Sequence, residues 1–392
     1  MTQGLDHAPK VPLLHQPKVR SLLFQVVLCL AVAALAAEAI RNAAENLARA
    51  KVASGFGFWN VTAGFDINQT LIEYSAQHST YGRAFWVGLL NTLLVAGLGV
   101  VGATILGFLI GIARLSRNFL VSRLAAAYVE LVRNVPLLLQ LLFWYNAVLK
   151  TLPEFRDSLT IPGGGYLNNR GLFLPRPEIA GAADVALAFA AGILCAMLLR
   201  MWAKRRERPP GGWTLAALTF AAILAPPLIA LLAVGGSVKV AYPELGRFNV
   251  HGGIEILPEF VALLLGLVIY TSAFIAEVVR AGLLAVPKGQ TEAAYALGLR
   301  RGAALRLVII PQAMRVIIPP LTNQYLNLTK NSTLAVAIGY PDLVQIFTGT
   351  VLNQTGQAVE VVVITMAVYL AISLVTSLLM NWYNARLAPQ ER

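Results

Sequence analysis

The 392-residue sequence predicts an all-α, polytopic membrane protein with about eight transmembrane helices. Three observations carry that reading. The chain is 57% hydrophobic and only 13% charged, and its mean hydropathy of +0.67 lies outside the range of soluble domains. Its apolar residues fall in runs of roughly 20, long enough to cross a hydrocarbon core of ~30 Å as helices with every backbone polar group satisfied internally. Its basic residues alternate between the two sides of those runs in the sense of the positive-inside rule.

The first run spans 22–40 and follows Lys18 and Arg20. It reads as an anchor helix, although its end in Ala-Leu-Ala-Ala-Glu-Ala (34–39) also fits a cleavable signal sequence. In either case 41–84 lies outside, an aromatic-bearing loop (Phe56, Phe58, Trp59) with some amphipathic helix. Spans follow at 85–113 and 123–149. Residues 150–180, with Pro162-Gly-Gly-Gly165 and Pro175-Arg-Pro177, read as an irregular external loop. Spans at 181–203 and 213–235 enclose the basic turn that begins at Lys204 and ends at Gly212. The last three spans are 257–281, 313–337 and 359–384, the first two separated by a basic polar loop at 287–311.

A net charge of +12 would suit a nucleic-acid partner if it were clustered, but it is not. With the N-terminus cytoplasmic, nineteen of the 31 Lys and Arg fall in inside segments and ten outside, which places both termini and the 287–311 loop in the cytoplasm. Arg133 and Lys330 fall within spans. Cys29 and Cys195 sit in separate apolar runs and imply neither a disulfide framework nor a metal site. The four histidines (His7, His15, His78, His251) show no ligand spacing. No internal repeat is present.

Ionisable groups inside a span cost about 2.5–3.5 kcal/mol each on insertion scales and are therefore functional candidates. Glu130 with Arg133, and Glu277 with Arg280, are i, i+3 pairs that fit either gate ion pairs or, for Arg133 above all, substrate contact. In the seventh span Asn323, Asn327, Lys330 and Asn331 recur at helical spacing, with Gln324 at the edge and Ser332 just beyond. Such a stripe avoids lipid, so it either lines a substrate pathway or bonds a neighbouring helix. Pro319-Pro320 ahead of it is expected to break or kink the helix. Gly107 and Gly111 in the second span would admit close helix contact.

The 287–311 loop carries the most specific signal. Glu292-Ala293-Ala294, Gly298 and Val308-x-Ile310-Pro311 reproduce the spacing E-A-A, x3, G, x9, I-x-L-P, and the segment reads as a short helix, a Gly corner and a second, basic helix. Around it stand Ala276-Glu277-x-x-Arg280-x-Gly282 and Gly289-Gln290-x-Glu292-Ala-Ala294. Upstream lies Tyr128-x-Glu130-x-x-Arg133-x-x-Pro136-Leu-Leu-x-Gln140, and downstream Leu328-Thr-Lys330-Asn331-Ser332-Thr333-Leu334. In these motifs and their order the chain resembles the type I ABC importer permeases, and within them the polar amino acid branch, with Asn331 where that branch has Asp. The resemblance covers 85–150 and 256–386, a five-helix permease core. Its length and insert are similar to the first membrane subunit of the general L-amino acid or glutamate/glutamine/aspartate/asparagine uptake systems.

The resemblance implies a cytoplasmic N-terminal tail, anchor helix and periplasmic loop (1–84), the first part of the core (85–150), an inserted region with periplasmic loops and two extra helices (151–255), the second part of the core (256–386) and a short cytoplasmic tail (387–392). It implies a bacterial inner-membrane subunit that moves amino acids from periplasm to cytoplasm by alternating access, beside a second homologous permease, two ABC ATPase subunits and a periplasmic amino-acid-binding protein. Gly289, Gln290, Glu292, Ala293, Ala294, Gly298 and Pro311 would couple it to the ATPase. No Walker-type G-x-x-x-x-G-K-[S/T] occurs, so no cofactor is expected in this chain, and ATP with Mg would belong to the partner. Competing readings are a permease of the same type for another small polar solute, an ion-gradient secondary transporter, and a scaffold that only holds an ATPase. A membrane enzyme would need a carboxylate pair, His cluster or Ser/His arrangement that the sequence lacks.

Overall fold

The computed structural model describes residues 17–49, 55–179, 181–206, 211–233, 238–247 and 249–387. The expectations for the first 16 residues, the last five and the centre of the 204–212 turn lie outside the described residues. Among the described residues seven helices are long and apolar enough to cross a membrane, eight when one bent pair counts as a span.

Helix α1 (Pro17–Arg49) carries its apolar stretch over 20–39 and then continues as a charged helix, held by Arg41 Nη2 to Glu38 Oε1 at 2.8 Å and Arg49 Nη2 to Glu45 Oε2 at 3.4 Å. Helix α2 (Tyr81–Ala113) is one continuous span. Helix α3 (Phe119–Asn134) starts where the Asn118 side chain accepts from the Leu120 and Val121 backbone N–H groups, at 3.0 and 3.2 Å. It stops where the ring of Pro136 pushes Val135 out of the helical region, to φ −99°, ψ 126°.

The predicted single span over 123–149 is therefore corrected to a broken pair. After Pro136 the chain resumes as α4 (Leu137–Leu142) and a π-helical turn (Phe143–Leu149), and the two limbs meet at 103°. Gln140 Nε2 donates to the Val132 and Val135 carbonyls, both at 2.9 Å, and so satisfies acceptors that the break sets free.

The inserted helices α5 (Ala182–Arg205) and α6 (Gly212–Ala233) form a hairpin. Gly192 lets them approach closely: a Cβ there would lie 2.8 Å from the Ala222 and Ile223 carbonyl oxygens. The flanking segments, expected to be irregular at 150–180, fold into short antiparallel sheets. Strands β1 (Leu159–Ile161), β2 (Gly165–Asn168), β3 (Gly171–Leu174) and β8 (Ile254–Ile256) pair in that order. Outside this sheet, β4 (Arg176–Ile179) pairs with β5 (Val238–Ala241), and β6 (Glu244–Leu245) with β7 (Val250–His251). Strands of two to four residues are too short to show a period-2 pattern, and β3 finds β8 some 80 residues later.

Helix α7 (Pro258–Leu284) is the most enclosed span. The coupling-like segment holds α8 (Lys288–Ala296) and α9 (Arg301–Ala304), which passes through a π-helical turn (Leu305–Ile309) into α10 (Ile310–Asn331). Pro319 and Pro320 do not break α10, contrary to the sequence expectation. They remove two adjacent N–H donors, but Ile317 and Leu321 beside them belong to the buried core, and this packing keeps the helix continuous. The change of pitch comes later, in the 3₁₀ segment Ser332–Ile338, which Gly339 closes at φ +78°. Helices α11 (Leu352–Thr355) and α12 (Ala358–Leu387) complete the chain.

Two compact units divide the chain, residues 1–88 with 343–371 and residues 89–342 with 372–392. In the first, Trp59, Phe85 and Phe347 form an aromatic cluster with ring centroids 5.1–6.1 Å apart. Gly82 makes room for the Trp59 indole, and Tyr81 Oη bonds Gln354 Oε1 at 3.0 Å. In the second, α2 and α7 meet through the glycines that the sequence singled out. A Cβ on Gly107 would lie 2.6 Å from Ile275, and one on Gly111 2.8 Å from the Ala276 carbonyl oxygen. The core between them and α10 includes Leu263, Leu267, Ile275, Ile317 and Leu328.

Candidate functional site: coupling segment and polar cavity

The coupling segment has the geometry that its spacing predicts. Pro287 leads into α8, and Ala294 turns its methyl inward to 2% exposure while Gly289, Gln290, Glu292 and Ala293 face outward. The corner is a Schellman turn. Gly298 N–H donates to the Tyr295 carbonyl at 2.9 Å and Leu299 N–H to the Ala294 carbonyl at 3.1 Å, with Gly298 left-handed at φ +75°. A Cβ there would meet nothing within 4 Å, so this chain needs the glycine for its backbone angle, not for close approach. Gln312 Nε2 donates to Gln290 Oε1 at 3.0 Å and ties α8 to the base of α10, near Pro311 in that helix's exposed first turn. The segment exposes apolar and basic side chains together: Tyr295, Leu297 and Leu307 are 47, 81 and 65% exposed, and Arg300, Arg301 and Arg306, between them in sequence, are exposed too.

The two predicted gate pairs part company. Glu277 accepts from Arg280 Nη2 at 2.7 Å and also pairs with Arg114 from the end of α2, so one carboxylate ties α7 to α2. The pairing of Glu130 with Arg133 is corrected: it does not form. The Arg133 guanidinium instead lies 5.0 Å from the centroid of the Phe274 ring, an aromatic face on α7 that a weakly hydrated guanidinium covers well.

Phe274 belongs to a cavity of about 360 Å³ lined by Tyr270, Thr271, Phe274, Gln324, Asn327 and Asn331. Of the stripe on α10, then, Gln324, Asn327 and Asn331 converge on this cavity, and Arg133 reaches its aromatic wall. Asn323 and Lys330 are exposed on the same helix outside the lining. Ser332 is placed elsewhere: it is 1% exposed, and its Oγ donates back to the Thr329 carbonyl at 2.8 Å. Sequence reasoning missed Tyr270 and Thr271, which look like ordinary residues of an apolar helix. The i, i+4 spacing of Tyr270 and Phe274, whose rings lie 5.0 Å apart, was the available signal. It also missed Arg114 as a partner of Glu277, because that contact joins helices distant in sequence.

The family model "Binding-protein-dependent transport system inner membrane component" matches residues 99–389. The chain belongs to that family. It is thus a multi-pass inner-membrane component of a binding-protein-dependent transport system. Among its relatives, the general L-amino acid transport system permease protein AapQ of Rhizobium johnstonii is 49% identical over 97% of this chain and 95% of its own length. The putative amino-acid ABC transporter permease protein YhdX of Escherichia coli is 49% identical over 96% of each. The glutamate/glutamine/aspartate/asparagine transport system permease protein BztB of Rhodobacter capsulatus is 41% identical over 97% and 96%. These full-length matches include the inserted region.

Proposed function

We infer that the chain is the permease subunit of an ATP-driven ABC importer that carries amino acids. The observation that carries this is the full-length likeness to amino acid permeases, joined to a built coupling segment. The exposed Leu297 and Tyr295, set at a rigid corner and followed in sequence by exposed arginines, suit the surface groove of an ATPase subunit. Residues Gly289, Gln290, Glu292, Ala293, Ala294, Gly298 and Pro311 would form or support that contact. Because α9 runs without a break into α10, a push on the corner would be transmitted along the helix that bears Gln324, Asn327 and Asn331.

The cavity suits a zwitterion. Amide side chains bond an ammonium through their oxygen and a carboxylate through their nitrogen, and Arg133 supplies positive charge at the aromatic wall for a carboxylate, while Lys330, outside the lining, would act on the approach. Asn323 would line the approach, whereas Ser332 would shape the helix end. The Arg114–Glu277–Arg280 cluster would hold the α2–α7 contact during alternating access. The complex would comprise a second homologous permease, two ATPase subunits that bind ATP and Mg, and a periplasmic amino-acid-binding protein, with both termini of this chain cytoplasmic. Uptake of labelled amino acids by cells with and without the gene tests the cargo. Loss of uptake that competing amino acids, but not sugars or polyamines, mimic supports the reading; unchanged amino acid uptake contradicts it.

A further inference from the structure

The inserted hairpin bears no part of the coupling segment or the polar cavity, yet it holds a cavity of its own. At the end of the hairpin where α5 leads into α6, a space of about 370 Å³ is lined by Arg200 of α5, by Arg206 just past its end, and by Gly212, Ala216 and Thr219 from α6. We propose that this cavity binds the phosphate headgroup of an anionic membrane phospholipid.

Charge is the first argument. Among the described residues no carboxylate pairs with Arg200 or Arg206, and both are exposed. Two guanidiniums that converge on one small space repel each other unless an anion lies between them, and the fork of each matches phosphate oxygens. Arg206 is also held in place, its guanidinium 4.1 Å from the centroid of the Trp202 ring. Among the described residues the floor carries no competing acid: Thr219 is 5% exposed and its hydroxyl donates to the Leu215 carbonyl at 2.7 Å.

The surroundings select a lipid over a free anion. Trp202 and Trp213 flank the site with 46 and 92% of their surface exposed, the placement of amphipathic rings at a headgroup layer. Deeper along the two helices Leu194, Met197, Leu198 and Phe220 are all more than half exposed, an apolar track for acyl chains leading away from the two arginines. Basic pockets between membrane helices near the headgroup level are the usual seat of anionic lipid headgroups. The two extra helices would then serve as a lipid-bound buttress of the permease.

The test is native mass spectrometry of the full chain purified in detergent and titrated with phosphatidylglycerol, phosphatidylcholine or inorganic phosphate. Arg200→Gln with Arg206→Gln should weaken phosphatidylglycerol retention about thirtyfold, the scale of two cationic contacts at an anionic surface. Ala216→Phe, which fills the cavity and leaves both charges, should weaken it similarly and keeps the proposal testable if the double variant does not fold. Arg117→Gln with Arg123→Gln, an equal charge change elsewhere, should leave retention unchanged, and phosphatidylcholine should bind all variants alike. Wild-type retention in either cavity variant overturns the proposal. So does displacement of the lipid by millimolar inorganic phosphate, which would assign the site to a free anion, or equal affinity for phosphatidylcholine.

Discussion

Substitutions at Gly298 separate two roles that one residue combines. The residue is left-handed at φ +75°, and a Cβ would meet nothing within 4 Å of this chain. Gly298→Ala therefore costs only backbone strain, about 1–2 kcal/mol, spent locally at an exposed corner. Gly298→Asn costs less, because Asn visits the left-handed region more readily. Gly298→Phe incurs the same strain as Ala and adds a ring that projects from the surface beside Leu297, where an ATPase would sit. The expected order follows. Asn supports near-normal transport, Ala supports reduced transport, and Phe inserts and folds like Ala but shows no stimulation of ATP hydrolysis by the binding protein and no uptake. Both quantities are measured on the reconstituted complex, with thermal stability of the purified permease as the folding control. Normal uptake by Gly298→Phe refutes the docking surface. If Ala is as inactive as Phe, backbone strain rather than protrusion explains the loss.

In a background lacking Cys29 and Cys195, Ser158→Cys should react with an impermeant thiol reagent from the periplasm and Gly211→Cys should not; periplasmic labelling at 211 overturns the proposed orientation. Asn327→Leu removes the amide that would bond a substrate in the cavity, at about 1 kcal/mol per hydrogen bond, and should weaken the apparent affinity for amino acids several-fold, with basal ATP hydrolysis retained. Lys330→Met should leave the complex folded but strongly reduce uptake; lower detergent stability with normal transport per assembled complex would instead make the stripe a helix-bonding surface. Gly107→Ala should lower the melting temperature of the purified chain, because its methyl would lie 2.6 Å from Ile275 at a cost of about 1–3 kcal/mol, whereas Gly97→Ala, with open space around it, should not.

The apolar runs and the coupling loop were legible because each is a local property. Run length alone sets the spans, and the left-handed turn at 298 needs only the glycine and the helix before it. The prolines were harder. Pro136 breaks its helix and Pro319-Pro320 does not, since the sequence shows the missing donors but not the packing that compensates for them. At 136 the side chain of Gln140 takes up the freed carbonyls and allows a bend; at 319 the core residues Ile317 and Leu321 hold the helix continuous. The polar cavity was half legible. The stripe on α10 was visible as a spacing, but its convergence with Tyr270, Phe274 and Arg133 depends on how α3, α7 and α10 pack. The same holds for Glu277, whose second partner, Arg114, lies 163 positions earlier.

The central claim is that this chain carries amino acids only as the membrane part of an ATP-driven assembly. Its most direct test is accumulation of a labelled amino acid in proteoliposomes that contain the chain, its homologous permease partner and the ATPase subunits, with the binding protein outside and ATP inside. Accumulation that requires both ATP and the binding protein and survives the collapse of all ion gradients by ionophores is the predicted result. Uptake by the chain alone, driven by an ion gradient and indifferent to ATP, would contradict it.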